Sequence, residues 1–499
     1  MSKTTFSKIG IVGAGSMGSN MALLFADHDF HVSIFDVNSS NIDDALPHLK
    51  KQKNSQKISG YKDYDKFVSS LGGNNEPRLF LFSITHGSPA DEVLKSLSPH
   101  LKKGDIILDG GNEWYLNSER RQREIKEKGV GYICMGVSGG YQSARRGPSI
   151  SPGGDEDVLE KVMPVLEKVA AQWKGKPCVT SIGPGGSGHY VKMVHNGIEQ
   201  GMLGVLNEAW ELLFKCLSTD LDELAKIFEG WNEAGELKNT FLVRIGAEIC
   251  ARKKPTGTGH LLNDIQDKVV QDADNSEGTG VWTVQEAALR HVSAPTITSA
   301  HFYRIASAAR GERLQFFDMI GSAAAAKKQH LEKNEERAEF IEDLREAVYC
   351  AFLASYCQGM NLIARASKDE GWGVKLKECI RIWRAGCIIE SEHIADLLEG
   401  VFEKDKGIMN VLLAEKIASE IQRTMPALKK VVMRATEWDA HIPSMSASLE
   451  YFKYCAGKHL PAMFMEAQLD YFGAHSYDLK SEGAGEVKKG THHTEWQPA

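Results

Sequence analysis

The chain has 499 residues, of which 42% are hydrophobic and 25% charged, and a net charge of -7. That is more chain than one hydrophobic core organises, so two or three domains are expected. The mild acidity leaves no electrostatic footprint for nucleic acid or an anionic membrane, so an anionic substrate needs a local basic patch. The nine cysteines include no C-x-x-C and no paired Cys/His spacing. This argues against a disulfide framework and a zinc site; no metal is expected, and reduced thiols fit a cytoplasmic location. The first residues run straight into a strand with no room for a signal peptide, and no apolar run is expected to reach the ~18 residues of a membrane span.

Residues 8–12 form a short apolar strand, followed at once by Gly13-Ala14-Gly15-Ser16-Met17-Gly18 and a helical pattern over 19–28. A second strand at 31–35 ends in Asp36. In this order the elements make a dinucleotide-binding unit. Gly13 permits the tight turn, Gly15 lets backbone approach a pyrophosphate, Gly18 allows close helix–strand packing, and Ser16 and Met17 open the helix whose N-terminus faces the phosphates. Asp36, about 20 residues on, suits the ribose hydroxyls and repels a 2′-phosphate. Val37 and Asn38 follow with no arginine between, so NAD is expected over NADP; a surface aspartate at a strand end is the blander alternative.

Further strands are expected at 79–84, 106–108 and 132–137, with helices between them. The first domain, residues 1–185, is therefore read as an α/β Rossmann domain with a doubly wound, mostly parallel sheet. Ligands bind outside the carboxyl ends of such strands. That directs attention to Ile84-Thr85-His86-Gly87 and Asn112 beside the cofactor, and to Asn112 and Ser138-Gly139-Gly140 facing the nicotinamide; plain turns are the alternative.

Strand signals fade after residue 185, and an all-helical domain is expected over 186–440. Its first helix carries Lys192, His195, Asn196 and Glu199 at i, i+3, i+4 and i+7, on one face of a helix that is apolar elsewhere. An ordinary helix ion pair is the competing explanation. Later helices are read at 200–214, 338–364 and 411–436, the last bent or broken near Pro426. Residues 274–280 are a polar loop able to approach a ligand. Residues 441–499 close the helical part and end in a polar tail, 482–499, that stays disordered unless it docks on a partner.

Gly13 to Gly18, Asp109-Gly110-Gly111-Asn112, Ser138-Gly139-Gly140, Lys192 to Glu199, Gly278-Thr279-Gly280, Trp383-Arg384 and Asp470-Tyr471-Phe472-Gly473-Ala474-His475 together resemble the decarboxylating 6-phosphogluconate dehydrogenases, in order and over nearly the whole chain. The resemblance implies metal-free oxidative decarboxylation of a β-hydroxy acid in a homodimer whose tail crosses to the partner. By motif position Lys192 would be the base, Glu199 the acid that protonates carbon, and Asn196 a partner in catalysis. Ser138, Gly139, Gly140, Asn112 and His195 would hold the substrate.

The sequence departs from that family where the terminal phosphate is expected. A tyrosine, a lysine and an arginine are replaced by Gln200, Glu277 and Leu469, while Arg304 and His475 remain. Asp36-Val37-Asn38 and Thr85 depart at the cofactor end. These changes lead us to expect an NAD-dependent enzyme for a polyhydroxy or aldonic acid without the 6-phosphate. The alternatives are a genuine 6-phosphogluconate dehydrogenase and a non-catalytic paralogue that binds cofactor or an active subunit.

Overall fold

The computed structural model describes residues 6–73, 76–271, 278–321, 325–329, 331 and 334–497. The chain divides into two compact units, Met1–Leu449 and Glu450–Ala499.

The first unit begins with a seven-stranded sheet: β1 (Lys8–Val12), β2 (His31–Phe35), β3 (Ile58–Tyr61), β4 (Leu79–Phe82), β5 (Ile106–Asp109), β6 (Gly131–Val137) and β7 (Ile150–Gly153). Their order is β3-β2-β1-β4-β5-β6-β7. The pairs are parallel except β7, which runs antiparallel to β6. Alternate residues feed two cores: Ile11, Leu79 and Leu81 on one face, Val12, Phe80 and Phe82 on the other. Burial on both faces explains why β4 reads as an unbroken apolar run. The connecting helices are α1 (Ser16–Asp27), α2 (Ser39–Leu49), α3 (Tyr64–Ser70), α4 (Ser88–Leu97) and α5 (Tyr115–Lys126). Because β1 lies between β2 and β4, the strand order reverses there, opening a crevice at the carboxyl ends.

Two strands of this sheet escaped the sequence reading. In β3 only Ile58 is buried, so no apolar run marks it. β7 is Ile-Ser-Pro-Gly, a composition that argues against a central strand; Pro152 is tolerated because β7 ends the sheet.

After α6 (Gly140–Arg146), α7 (Glu156–Val169) and a small hairpin of β8 (Gln172–Trp173) and β9 (Lys176–Pro177), helices take over. They are α8 (Ser187–Glu211), α9 (Leu221–Glu233), α10 (Phe241–Ala251), α11 (Thr279–Leu289), α12 (Pro295–Ala308), α13 (Arg310–Ile320), α14 (Asn334–Glu370), α15 (Leu376–Ile382), α16 (Glu392–Lys404), α17 (Glu415–Glu437) and α18 (Pro443–Cys455). Contrary to the sequence expectation, α14 is long and apolar enough to cross a membrane, but 94% of its apolar window is buried inside the fold. It packs between α8 and α17 as a core helix. The break expected near Pro426 is also absent: α17 runs through it, with Leu428 and Val431 buried beyond it. That packing outweighs the lost backbone hydrogen bond.

The second unit contains α19 (Ala462–Gly473) and the tail. Asp470 is 1% exposed. It accepts from Ser476 N (2.9 Å), His493 Nδ1 (2.9 Å), Thr494 N (3.1 Å) and Trp496 Nε1 (2.9 Å). The polar tail is thus folded back within its own chain by one carboxylate, an anchor that hydrophobic periodicity does not reveal.

Candidate active site

The glycine motif does what its residue types allow. Gly13 has φ +109° and a β-carbon there would meet Ser83 O at 2.1 Å; one on Gly18 would meet Gly13 O at 1.9 Å. Around Gly15 there is open space. Gly15, Ser16 and Met17 line a cleft of about 520 Å³ together with Ile84, Thr85, Asn112, Gly139 and Gly140. Asp36, at the end of β2, accepts Ala14 N (2.8 Å) and Asn38 N (2.9 Å). The Asn38 side chain caps α2 by accepting Ser40 N, while Val37 is 68% exposed. An open glycine cradle at a helix N-terminus, with a carboxylate at the second strand end, fits a dinucleotide.

A buried network that the sequence reading missed sets the loops of this cleft. Glu113, 2% exposed, accepts Gly87 N (2.8 Å), Trp114 N (2.8 Å), Asn117 Nδ2 (2.9 Å) and Arg121 Nη1 (2.6 Å). Arg121, fully buried, also reaches Asp91 (2.6 Å) and Gly87 O (2.9 Å). Burial alone raises the Glu113 carboxyl, but its hydrogen bonds and the guanidinium outweigh it and hold the acid low. Removing one member of such a network strands a charge in the interior. Its two segments, Gly87 with Asp91 and Glu113 with Arg121, lie more than twenty residues apart in sequence, so no single local pattern shows the link between them.

α8 is seated directly on the sheet. A β-carbon on Gly188 would lie 2.1 Å from Cys134 O and 2.4 Å from Ser151 O. His189, also unremarked in the sequence, ties this turn down through Ser118 Oγ (2.6 Å) and Asp109 O (2.9 Å). One turn on, Lys192 borders the cleft. Lys192 and Asn196 are 7% and 8% exposed, and Lys192 Nζ donates to Asn196 Oδ1 across 2.8 Å. His195 is completely buried, with Nδ1 3.0 Å from the same oxygen, and burial followed by the Lys192 charge keeps its pKa well below the usual value. An amide oxygen only accepts, so His195 carries its proton on Nδ1.

Ser138 is 4% exposed and held through its N–H by Ser149 O (3.0 Å). A β-carbon on Gly139 would meet Gly386 O at 2.4 Å. Arg145, at the end of α6, pairs with Asp27 at 2.6 Å.

A second cavity of about 570 Å³ lies between α8, α11 and α12 and includes Gln200, Lys268, Thr279 and Arg304. Asn196 and Glu199 line both cavities. Gln200, 4% exposed, is 3.3 Å from His301 Nδ1 through Oε1 and packs on Gly280. Glu277 lies outside the described residues. His475 belongs to the second unit, beside Phe472 at 6.1 Å between ring centroids.

A Rossmann cleft that meets a second cavity along a Lys/Asn/Glu face defines an NAD(P)-dependent dehydrogenase of hydroxy acids. Residues 8–183 match the NAD binding domain of 6-phosphogluconate dehydrogenase, and residues 188–496 match the 6-phosphogluconate dehydrogenase C-terminal domain. The Emericella nidulans protein named 6-phosphogluconate dehydrogenase, decarboxylating, is 52% identical over 498 residues, covering 97% of this chain and 100% of the relative. The Bacillus subtilis protein named as the NAD(+)-dependent, decarboxylating enzyme is 38% identical, covering 98% and 99%. A solved Plasmodium falciparum 6-phosphogluconate dehydrogenase, described with NADP+ and with 6-phosphogluconate, superposes with TM-score 0.85 at 35% identity, covering 98% and 100%. The chain belongs to the decarboxylating 6-phosphogluconate dehydrogenase family, and is an NAD(P)-dependent dehydrogenase acting on the CH–OH group of a hydroxy acid.

Proposed function

We propose that this chain oxidises and decarboxylates 6-phosphogluconate to ribulose 5-phosphate and carbon dioxide, preferring NAD. The observation that carries the reading is the meeting of the two cavities along Asn196 and Glu199, with Lys192 on the dinucleotide side. The bound dinucleotide supplies the hydride acceptor. Lys192 takes the hydroxyl proton during oxidation; the resulting β-keto acid releases carbon dioxide as its carbonyl accepts the electron pair. The protonated Lys192 then stabilises the enolate oxygen, and Glu199 delivers a proton to carbon. Arg304 and Lys268 line the substrate cavity and supply positive charge to it. The full-length relatives favour the phosphorylated substrate over the unphosphorylated acid expected from the sequence. NAD preference rests on Asp36 and on the uncharged Val37 beside it.

Gln200 packed on His301 and Gly280 supports a second reading, an aldonic acid without the phosphate. One assay decides: 6-phosphogluconate and gluconate, each with NAD and NADP, with reduced nicotinamide and carbon dioxide measured together. A higher kcat/KM for gluconate overturns the first reading, and equal use of NADP overturns the cofactor preference.

The resemblance also supports a cytoplasmic homodimer in which the partner subunit's His475 completes each site. Light scattering tests the dimer. Mixing Lys192→Met chains with His475→Ala chains tests the crossing, because only hybrids then contain a native site; activity that stays at the level of the separate variants refutes it.

A further inference from the structure

Both ends of the Asn196 amide are engaged. Oδ1 accepts from Lys192 Nζ and His195 Nδ1, and Nδ2 donates to Thr279 Oγ1 at 3.0 Å. A lysine ammonium only donates, so the amide oxygen must face it, and the NH2 end then needs an acceptor. Thr279 supplies one, and it is 2% exposed. It stands in the first turn of α11, where Thr283 Oγ1 lies 2.8 Å from Thr279 O and 2.9 Å from Met193 O. A β-carbon on Gly197 would come within 2.4 Å of Thr283 Cγ2, so α11 and α8 touch closely at this level. The hydroxyl is therefore presented from a second helix that is fixed against the first.

We infer that Thr279 is a positioning residue for the oxidation step, holding the Asn196 amide so that its oxygen, rather than its NH2, faces Lys192. The inference rests on the proposed role of Lys192 as base. The terminal torsion of asparagine is broad and roughly two-fold. Without the hydroxyl the buried NH2 end is left without its acceptor, and the amide is no longer held from that side in the orientation that sets its oxygen beside the lysine. Packing alone does not substitute: valine matches threonine in shape but offers no lone pair.

A double-mutant cycle separates this role from a direct contact with substrate. Thr279→Val, Thr279→Ser, Asn196→Ala and the Asn196→Ala/Thr279→Val chain are assayed with 6-phosphogluconate and with gluconate, with melting curves recorded for each. On the better substrate, Thr279→Val lowers kcat about tenfold and leaves KM within about twofold, while Thr279→Ser stays within about threefold of wild type. In the Asn196→Ala background, Thr279→Val changes kcat by less than about twofold. Equal effects of valine in both backgrounds, a change confined to KM, or failure of serine to restore kcat overturns the inference. Preference for gluconate by the wild-type chain overturns the substrate reading instead and leaves the cycle readable.

Discussion

Asp36 Oδ2 accepts the backbone N–H of Ala14 across 2.8 Å, so the carboxylate at the end of β2 is tied into the glycine motif itself. Its other oxygen holds Asn38 N at 2.9 Å. A 2′-phosphate at this strand end meets a fixed negative charge. Val37, 68% exposed, packs little and accepts replacement. The double variant Asp36→Asn/Val37→Arg is expected to shift the NADP/NAD ratio of kcat/KM by roughly 10²-fold toward NADP, the equivalent of about two charge-assisted contacts. An unchanged ratio removes these residues from the specificity account.

Lys192→Met is expected to lower kcat by about 10²–10⁴-fold while the chain still binds dinucleotide. Glu199→Gln acts later, so turnover falls by about 10²-fold but a first-turnover burst of reduced nicotinamide persists in rapid mixing. Wild-type rates from Lys192→Met, or no burst from Glu199→Gln, contradict these roles.

At the far end of α8, Glu211 pairs with His441 at 3.0 Å. The hydrogen bond that His441 Nδ1 donates to Glu211 raises the His441 pKa above its ordinary 6.5. Burial raises Glu211, but His441 and then Lys215 outweigh it and bring the acid below its ordinary 4.5. The histidine contribution is complete below 6.5 and fades as pH rises through the raised value; the glutamate contribution is complete above 4.5 and fades on acidification through the lowered one. The pair therefore stabilises most between 4.5 and 6.5. His441 is half exposed, so the effect is small, about 0.5 kcal/mol after screening. Melting curves of wild type and His441→Gln should separate most in that window and converge at alkaline pH; a constant gap rules the linkage out.

In the second unit, Asp470→Ala leaves the backbone N–H groups of Ser476 and Thr494 without their acceptor. Amide exchange at both positions is expected to accelerate by about tenfold or more, with little change in β1 to β6. Unchanged exchange means that the tail has a different anchor.

What was legible in the sequence is what is local. The Gly13–Gly18 motif, Asp36, the β4 run and the Lys192–Glu199 spacing each fit within one strand, turn or helix. Hidden features depend on partners distant in sequence: Glu113 and Arg121 with Gly87, Thr279 with Asn196, and Asp470 with residues twenty or more positions on. β7 was hidden for another reason, since its Pro and Gly argue against a strand until its place at the sheet edge is known. The departures at Gln200, Glu277 and Leu469 were visible at once. Yet their weight for the substrate depends on whether Lys268 and Arg304, from two separate segments, restore the lost charge.

The contact of Gly188 with Cys134 O and Ser151 O bears on how this family can be recombined. The two matched regions end at residue 183 and begin at residue 188, which makes that junction the obvious crossover point for chimeras. It is instead a seam of direct backbone contact. Grafting a relative's sheet half onto this helical half there pits two unmatched backbones against each other where not even a methyl group fits. A crossover beyond Glu211 keeps the whole of α8 with the sheet on which it rests.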